Sequence, residues 1–295
     1  MNVAKLGLLV TLVAVNVAFV LGWVRDARRR TVRPAPTWGD IAIGFVTDFL
    51  DALGIGSFAP TTALFKFRGS PADELIPGTL NVGHNAAAFV ETAVLVTAVA
   101  VDPALLVSMI ASATLGAWLG AGVVSGMPRR AIQLFMGAAL LIAATFFVMA
   151  NLGLFPAGGA AMGLTGWRFV VAVGVNFVFG ALTTVGIGPY APIMVVLALL
   201  GLHPLGAFPI MMGTCGLVQP VASLRFFKTG RFSFGASLGL TLGGIFGVLI
   251  AIFIVRALPL AALRWLVVVV VAYASLSMLR SALRERPGAL VTPAT

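Results

Sequence analysis

The chain has 295 residues, of which 60% are apolar and 9% charged, whereas an ordinary soluble domain is about a quarter charged. Such a chain cannot cover itself with polar surface in water, so its solvent is lipid. The net charge of +10 lies in short clusters between apolar runs with no aromatic-interleaved basic face, which argues against a nucleic-acid partner.

In chain order, Lys5 precedes a first apolar stretch, 6–23, followed at once by Arg25, Arg28, Arg29, Arg30 and Arg33. The stretch is long for a signal sequence and no small-x-small cleavage site follows, so it is read as a retained first span. Further apolar segments run 40–67, 76–100, 103–125, 130–154, 167–200, 204–227, 232–255 and 259–279. A helix rising about 1.5 Å per residue crosses the hydrocarbon core in about 20 residues, and most of these segments have that length.

Two segments are interrupted. Gly54-Ile55-Gly56-Ser57-Phe58-Ala59-Pro60 breaks the second, and Gly186-Ile187-Gly188-Pro189-Tyr190-Ala191-Pro192 breaks the sixth. Both read GIGxxAP, with an aromatic residue before the alanine. The same offset of 132 pairs Pro77 with Pro209, and an offset of 131 pairs Gly116 with Gly247 and Pro128 with Pro259. The spacing predicts an internal duplication preceded by one extra span.

If both broken segments turn back as hairpins, 15 of the 19 Lys and Arg fall on one side, leaving Lys5, Arg168, Arg256 and Arg264 opposite; if both cross, 12 do. The excess of basic residues in cytoplasmic loops favours hairpins. Each half then has one hairpin and three full spans, and the second half is inverted. Inverted repeats with helices broken near mid-membrane are a transporter architecture. The expected fold is therefore an all-α polytopic membrane protein: an inverted repeat of helical bundles with two broken or re-entrant helices, preceded by one extra transmembrane helix. Residues 1–37 form the first helix and a basic cytoplasmic loop, 38–154 the first repeat, 155–166 a linker, 167–283 the second repeat and 284–295 a cytoplasmic tail. The expected location is a bacterial inner membrane, with possible homo-oligomers.

The doubled GIGxxAP breaks, with Pro77-Gly-Thr-Leu-Asn-Val-Gly-His84 and Phe208-Pro-Ile-Met-Met-Gly-Thr-Cys215, resemble the sulfite exporter TauE/SafE family of membrane permeases over nearly the whole chain. Many members carry a glycine triplet at the break, where this chain has Ser57 after Gly56 and Pro189 after Gly188. The resemblance implies proton-linked export or uptake of sulfite, sulfonates or related small anions.

A glycine-rich break followed by a helix start leaves free backbone N–H groups and a positive dipole end, which together favour an anion. Pro60 and Pro192 sit in the first turn of each returning helix, where a missing N–H matters least. Candidate substrate-binding residues are Gly54, Gly56, Ser57, Thr61, Gly186, Gly188, Tyr190, Asn81 and His84. Alternatively, the glycines only permit turns and close packing, while hydroxyls of Ser57, Thr61, Thr62, Thr183 and Thr184 bond freed backbone carbonyls. Asn81, His84, Asn85, Glu91 and Thr92 share one face of the third span.

Ionisable groups in lipid usually face a cavity or a partner, which makes Asp48, Asp51, His84 and Glu91 candidates for proton coupling. The alternative for His84 and Glu91 is a structural pair, and for the aspartates a salt bridge to Lys66 or Arg68. Cys215 suits a sulfur-transfer role only weakly, since lone cysteines in apolar helices are usually packing residues. Trp38 and Trp167 open the repeats as interfacial anchors; Ser112, Gly116 and Gly120, like Gly243 and Gly247, have the small-xxx-small spacing of close helix packing. No HExxH or GxSxG occurs and only His84 and His203 are present, so no enzyme, metal or cofactor is expected. The competing readings are an anion channel and a transporter of non-sulfur organic anions.

Overall fold

The computed structural model describes residues 3–31, 34–253 and 260–284. Arg33, Arg256, Pro259, Arg286 and the tail beyond Arg284 lie outside the described residues. Among those described there are twelve α-helices and no β-strand. The helices are α1 (Val3–Arg29), α2 (Trp38–Ala52), α3 (Phe58–Arg68), α4 (Ile76–Gly83), α5 (Asn85–Ala98), α6 (Pro103–Val124) and α7 (Arg129–Asn151). They continue as α8 (Gly166–Thr183), α9 (Tyr190–Leu199), α10 (Pro204–Thr229), α11 (Phe234–Phe253) and α12 (Leu260–Arg284). A 3-10 turn, Asp73–Leu75, precedes α4. Seven helices, α1, α6, α7, α8, α10, α11 and α12, are long and apolar enough to cross a membrane.

Both interrupted segments end one helix and start another where the sequence predicts. α2 stops at Leu53, and Gly54 and Gly56 take φ of +83° and +90° before α3 begins at Phe58. These values belong to glycine, because a Cβ there meets the backbone. α8 gives way to α9 through Gly186 at φ +104°, whereas Gly188 does not adopt a positive φ.

Arginine side chains link the start of each broken segment with its far end. Thr37 and Asp40 form a reciprocal capping box at the start of α2. Arg68, at the end of α3, donates from Nη1 to Asp40 Oδ1 (2.7 Å) and from Nη2 to Thr37 Oγ1 (2.8 Å). In the second segment a Cβ on Gly201, beyond α9, would lie 3.4 Å from Nη1 of Arg168 near the start of α8.

The three most extensive helix pairings are α2 with α11, α6 with α8 and α7 with α12. Exchanging α2, α3, the pair α4 and α5, α6 and α7 for α8, α9, α10, α11 and α12 in order maps the first onto the second and leaves the third unchanged. It also maps α3 on α12 onto α9 on α7, both of which are present. Small residues allow the first two pairings. A Cβ on Gly243 or Gly247 would strike the backbone of Ile41 or Phe45 in α2, and one on Gly116 or Gly120 the backbone of Phe177 or Ala181 in α8. In lipid, where apolar burial does not drive helices together, such close approach supplies the van der Waals contact that holds them.

The segment expected as the third span is interrupted at His84, between α4 and α5. The hydrogen bonds from His84 N to Leu80 O and from Ala88 N to His84 O persist, but the Gly83 carbonyl accepts from the Thr241 hydroxyl of α11 at 2.8 Å. A hydroxyl inserted into the helical ladder is a recognised cause of a bend. The single straight face expected for Asn81 to Thr92 is thus divided between α4 and α5.

Basic groups gather at one end of the bundle. Lys66 pairs with Asp73 (2.7 Å) and reaches Ser281 (3.2 Å), Arg129 meets Glu74 (3.3 Å), and Arg231 donates to Met127 O (2.6 Å). Arg30 lies over the Phe232 ring at 4.6 Å. Trp38 and Trp167 are 86% and 67% exposed, as lipid-interface anchors would be.

Candidate functional site

The two breaks face one cavity of about 290 Å³. Gly54, Gly56, Phe58 and Ala59 line it from the first, and Gly188, Tyr190, Ala191 and Pro192 from the second. The helix after each break starts there without a side-chain cap: Ser57 precedes α3 and Pro189 precedes α9, and neither caps its helix. The first intrahelical bonds at the two starts, Thr61 N to Ser57 O and Ile193 N to Pro189 O, are both 3.0 Å. The N–H groups ahead of them, on Phe58, Ala59, Tyr190 and Ala191, are the orphan donors of a helix N-terminus. Two positive dipole ends thus border the same space.

The rest of the wall is apolar. Phe146 and Phe147 come from α7, Phe155 from the connection that follows it, and Phe208 from α10. Arg264 of α12 is the one charged residue among the described lining. Aromatic surface, free donors and a single cation suit a monoanion with a carbon body.

Behind the first break lies a polar cluster sealed from lipid. His84 Nδ1 is 2.7 Å from Asp48 Oδ1, its Nε2 is 3.0 Å from Thr61 Oγ1, and all three residues are fully buried. With Nδ1–H donating to Asp48, Nε2 of a neutral ring accepts from the Thr61 hydroxyl, and a protonated ring donates to it. Ser57 donates to Asp51 Oδ2 at 2.8 Å. The Phe58 ring, which lines the cavity, lies against the His84 ring with centroids 5.7 Å apart. Asp48 Oδ2 and Glu91 Oε1 are buried without a hydrogen-bond partner among the described residues.

Of the residues singled out from sequence, Gly54, Gly56, Gly188 and Tyr190 line the cavity. Ser57 and Thr61 instead bond Asp51 and His84. Gly186 packs toward Met136 and Leu80, and Asn81 donates to the Pro77 carbonyl at 2.9 Å. Thr183 and Thr184 bond the carbonyls of Phe179 (2.7 Å) and Ala181 (2.6 Å), the backbone alternative. Tyr190 points its hydroxyl at Met212 Sδ, 2.7 Å away. Neither Asp48 nor Asp51 reaches Lys66 or Arg68, because Asp73 and Asp40 take those cations at the ends of the helices. Cys215 is buried and free. Among the described residues no cluster of His, Cys, Asp and Glu could hold a metal ion.

Comparison with protein-family models, curated proteins and solved structures finds no match.

Proposed function

We propose that this chain is a secondary transporter that moves a small anion across a bacterial inner membrane, working in the manner of the TauE/SafE permeases that its sequence resembles. The observation that carries this reading is the shared cavity: two uncapped half-helix starts, one from each half of the chain, border it together with Arg264. Backbone donors and dipole ends hold anions without a fixed buried countercharge, so the site can release what it binds.

An inverted repeat with two re-entrant helices is supported by the exchange-symmetric helix pairing and by the closure of each broken segment through Arg68 and Arg168. The basic end of the bundle is then cytoplasmic, and so is the C-terminus. Proton coupling belongs to Asp48, Asp51, His84 and Glu91, which are buried behind the first break. The polar atoms of Asp48 and Glu91 that lack partners are the groups a transferred proton would satisfy.

The phenylalanine wall selects within the anion class. Bare sulfite would leave that surface uncovered, whereas an organic sulfonate or carboxylate covers it and presents its charge to the helix starts. Thermal unfolding of the purified protein with sulfite, thiosulfate, alkyl and aryl sulfonates and carboxylates tests this. An aryl sulfonate should stabilise the protein most, and its flux into proteoliposomes should saturate and follow an imposed pH gradient. Passive, unsaturated flux would make the protein a channel, and stabilisation by sulfite alone would return the substrate to the inorganic oxyanions.

A further inference from the structure

A second cleft runs along the lipid-facing seam of α1, α6 and α10, with no residue in common with the cavity at the breaks. At the basic end of the bundle it is a hollow of about 430 Å³ carrying Arg25, Arg29 and Lys228 against apolar walls that include Leu21 and Phe227. Asp26, the acid in this hollow, is engaged by Arg30 Nε at 2.6 Å. Trp118 forms the floor and also opens a second, apolar hollow of about 750 Å³, where Leu8, Val107, Leu115 and Leu217 stand. The Arg225 guanidinium lies over the Trp118 ring at 3.9 Å, and its buried Nε has no hydrogen-bond partner among the described residues.

We propose that this cleft is a seat for one anionic phospholipid of the leaflet at the basic end. The shape is that of the molecule: a cationic hollow for the phosphate, then an apolar channel for an acyl chain. From Arg25 to Thr11 along α1 is about 21 Å of helix, enough to carry a chain through one half of a roughly 30 Å hydrocarbon core. Basic hollows between helices at the cytoplasmic face are suited to anionic headgroups. Three cations with their one local acid already paired favour net negative charge over a zwitterion. A soluble phosphate could use the hollow but would leave the channel unfilled. The bound lipid would fasten α1, the helix outside the two halves, to α10 within them.

Native mass spectrometry of the detergent-purified full chain is the test, with phosphatidylglycerol, phosphatidylcholine of the same chains and glycerol 3-phosphate as probes. Wild type should retain one phosphatidylglycerol in about tenfold or greater preference to phosphatidylcholine, and no glycerol 3-phosphate. The triple variant Arg25→Gln, Arg29→Gln, Lys228→Gln should lose that preference. Removing three exposed basic charges elsewhere, by Arg28→Gln, Arg280→Gln and Arg284→Gln, should not. Val107→Trp, which keeps every charge and narrows the channel, should also lower lipid retention, so the test survives if the triple variant fails to fold. Equal retention of the two lipids, equal loss in both triple variants, binding of glycerol 3-phosphate as tight as the lipid, or a lipid-free dimer would each overturn the proposal.

Discussion

The two breaks share a backbone plan and differ in chemistry. Each ends a helix in a glycine turn, starts the next with an aromatic residue and a proline two positions on, and leaves that start uncapped beside the same cavity. Around the first, Asp48, Asp51, Ser57, Thr61 and His84 form a buried hydrogen-bonded cluster. Around the second, Thr183, which stands where the first has Asp51, and Thr184 turn to local carbonyls and Tyr190 meets a methionine sulfur. On the proposed function, the two helix starts are the anion-binding ends and proton chemistry is confined to the first break.

That division predicts unequal responses. His84→Leu leaves Asp48 buried without its partner and should lower unfolding stability by about 3 kcal/mol or more. Thr183→Val removes one local bond and should lower it by about 1 kcal/mol. Thermal unfolding in detergent measures both, and similar losses would erase the distinction between the breaks. For transport, Asp51→Asn and His84→Gln should preserve anion counterflow while weakening accumulation driven by a pH gradient. Normal accumulation by both variants would remove the proton route from this cluster.

A subtler difference lies in the glycines. Gly56 sits at φ +90° in open space, and Gly188 lies outside the positive region, where an added Cβ would make only ordinary contact with Phe58 Cβ at 3.9 Å. Gly56→Ala should therefore lower stability by about 1–2 kcal/mol, and Gly188→Ala by less than about 0.5 kcal/mol, on the same unfolding measurement. A separate effect, on binding rather than on folding, belongs to Arg264, which borders the cavity without belonging to either break. Arg264→Gln should weaken anion binding roughly fivefold at low salt and less at high salt, as a screened charge does. Salt-independent loss in a titration would mean that Arg264 has a packing role.

Much of this was legible in the sequence because it is written locally. The breaks, their offset and the extra first span follow from glycine, proline and apolar run length. Partners across the fold were not legible. His84 and Asp48 lie 36 positions apart, and sequence proximity pointed the aspartates to Lys66 and Arg68, whose real partners are Asp73 and Asp40. The phenylalanine wall from α7 and α10 was hidden for a different reason: in a membrane chain, residues facing a cavity and residues facing lipid are equally apolar, so no periodicity separates them. The break at His84 coincides with a hydrogen bond from Thr241 of another helix to the Gly83 carbonyl and leaves no local mark in the sequence.

If both breaks build one anion site, Gly56→Leu and Gly188→Leu should both lose it, and anion affinity in the two variants decides the matter. Gel filtration should show both variants folded, and isothermal titration with the best-stabilising anion should show binding abolished in both, because either leucine would fill the shared cavity. Wild-type affinity in one of the two would contradict the account, since the anion would then be held by one half of the chain alone.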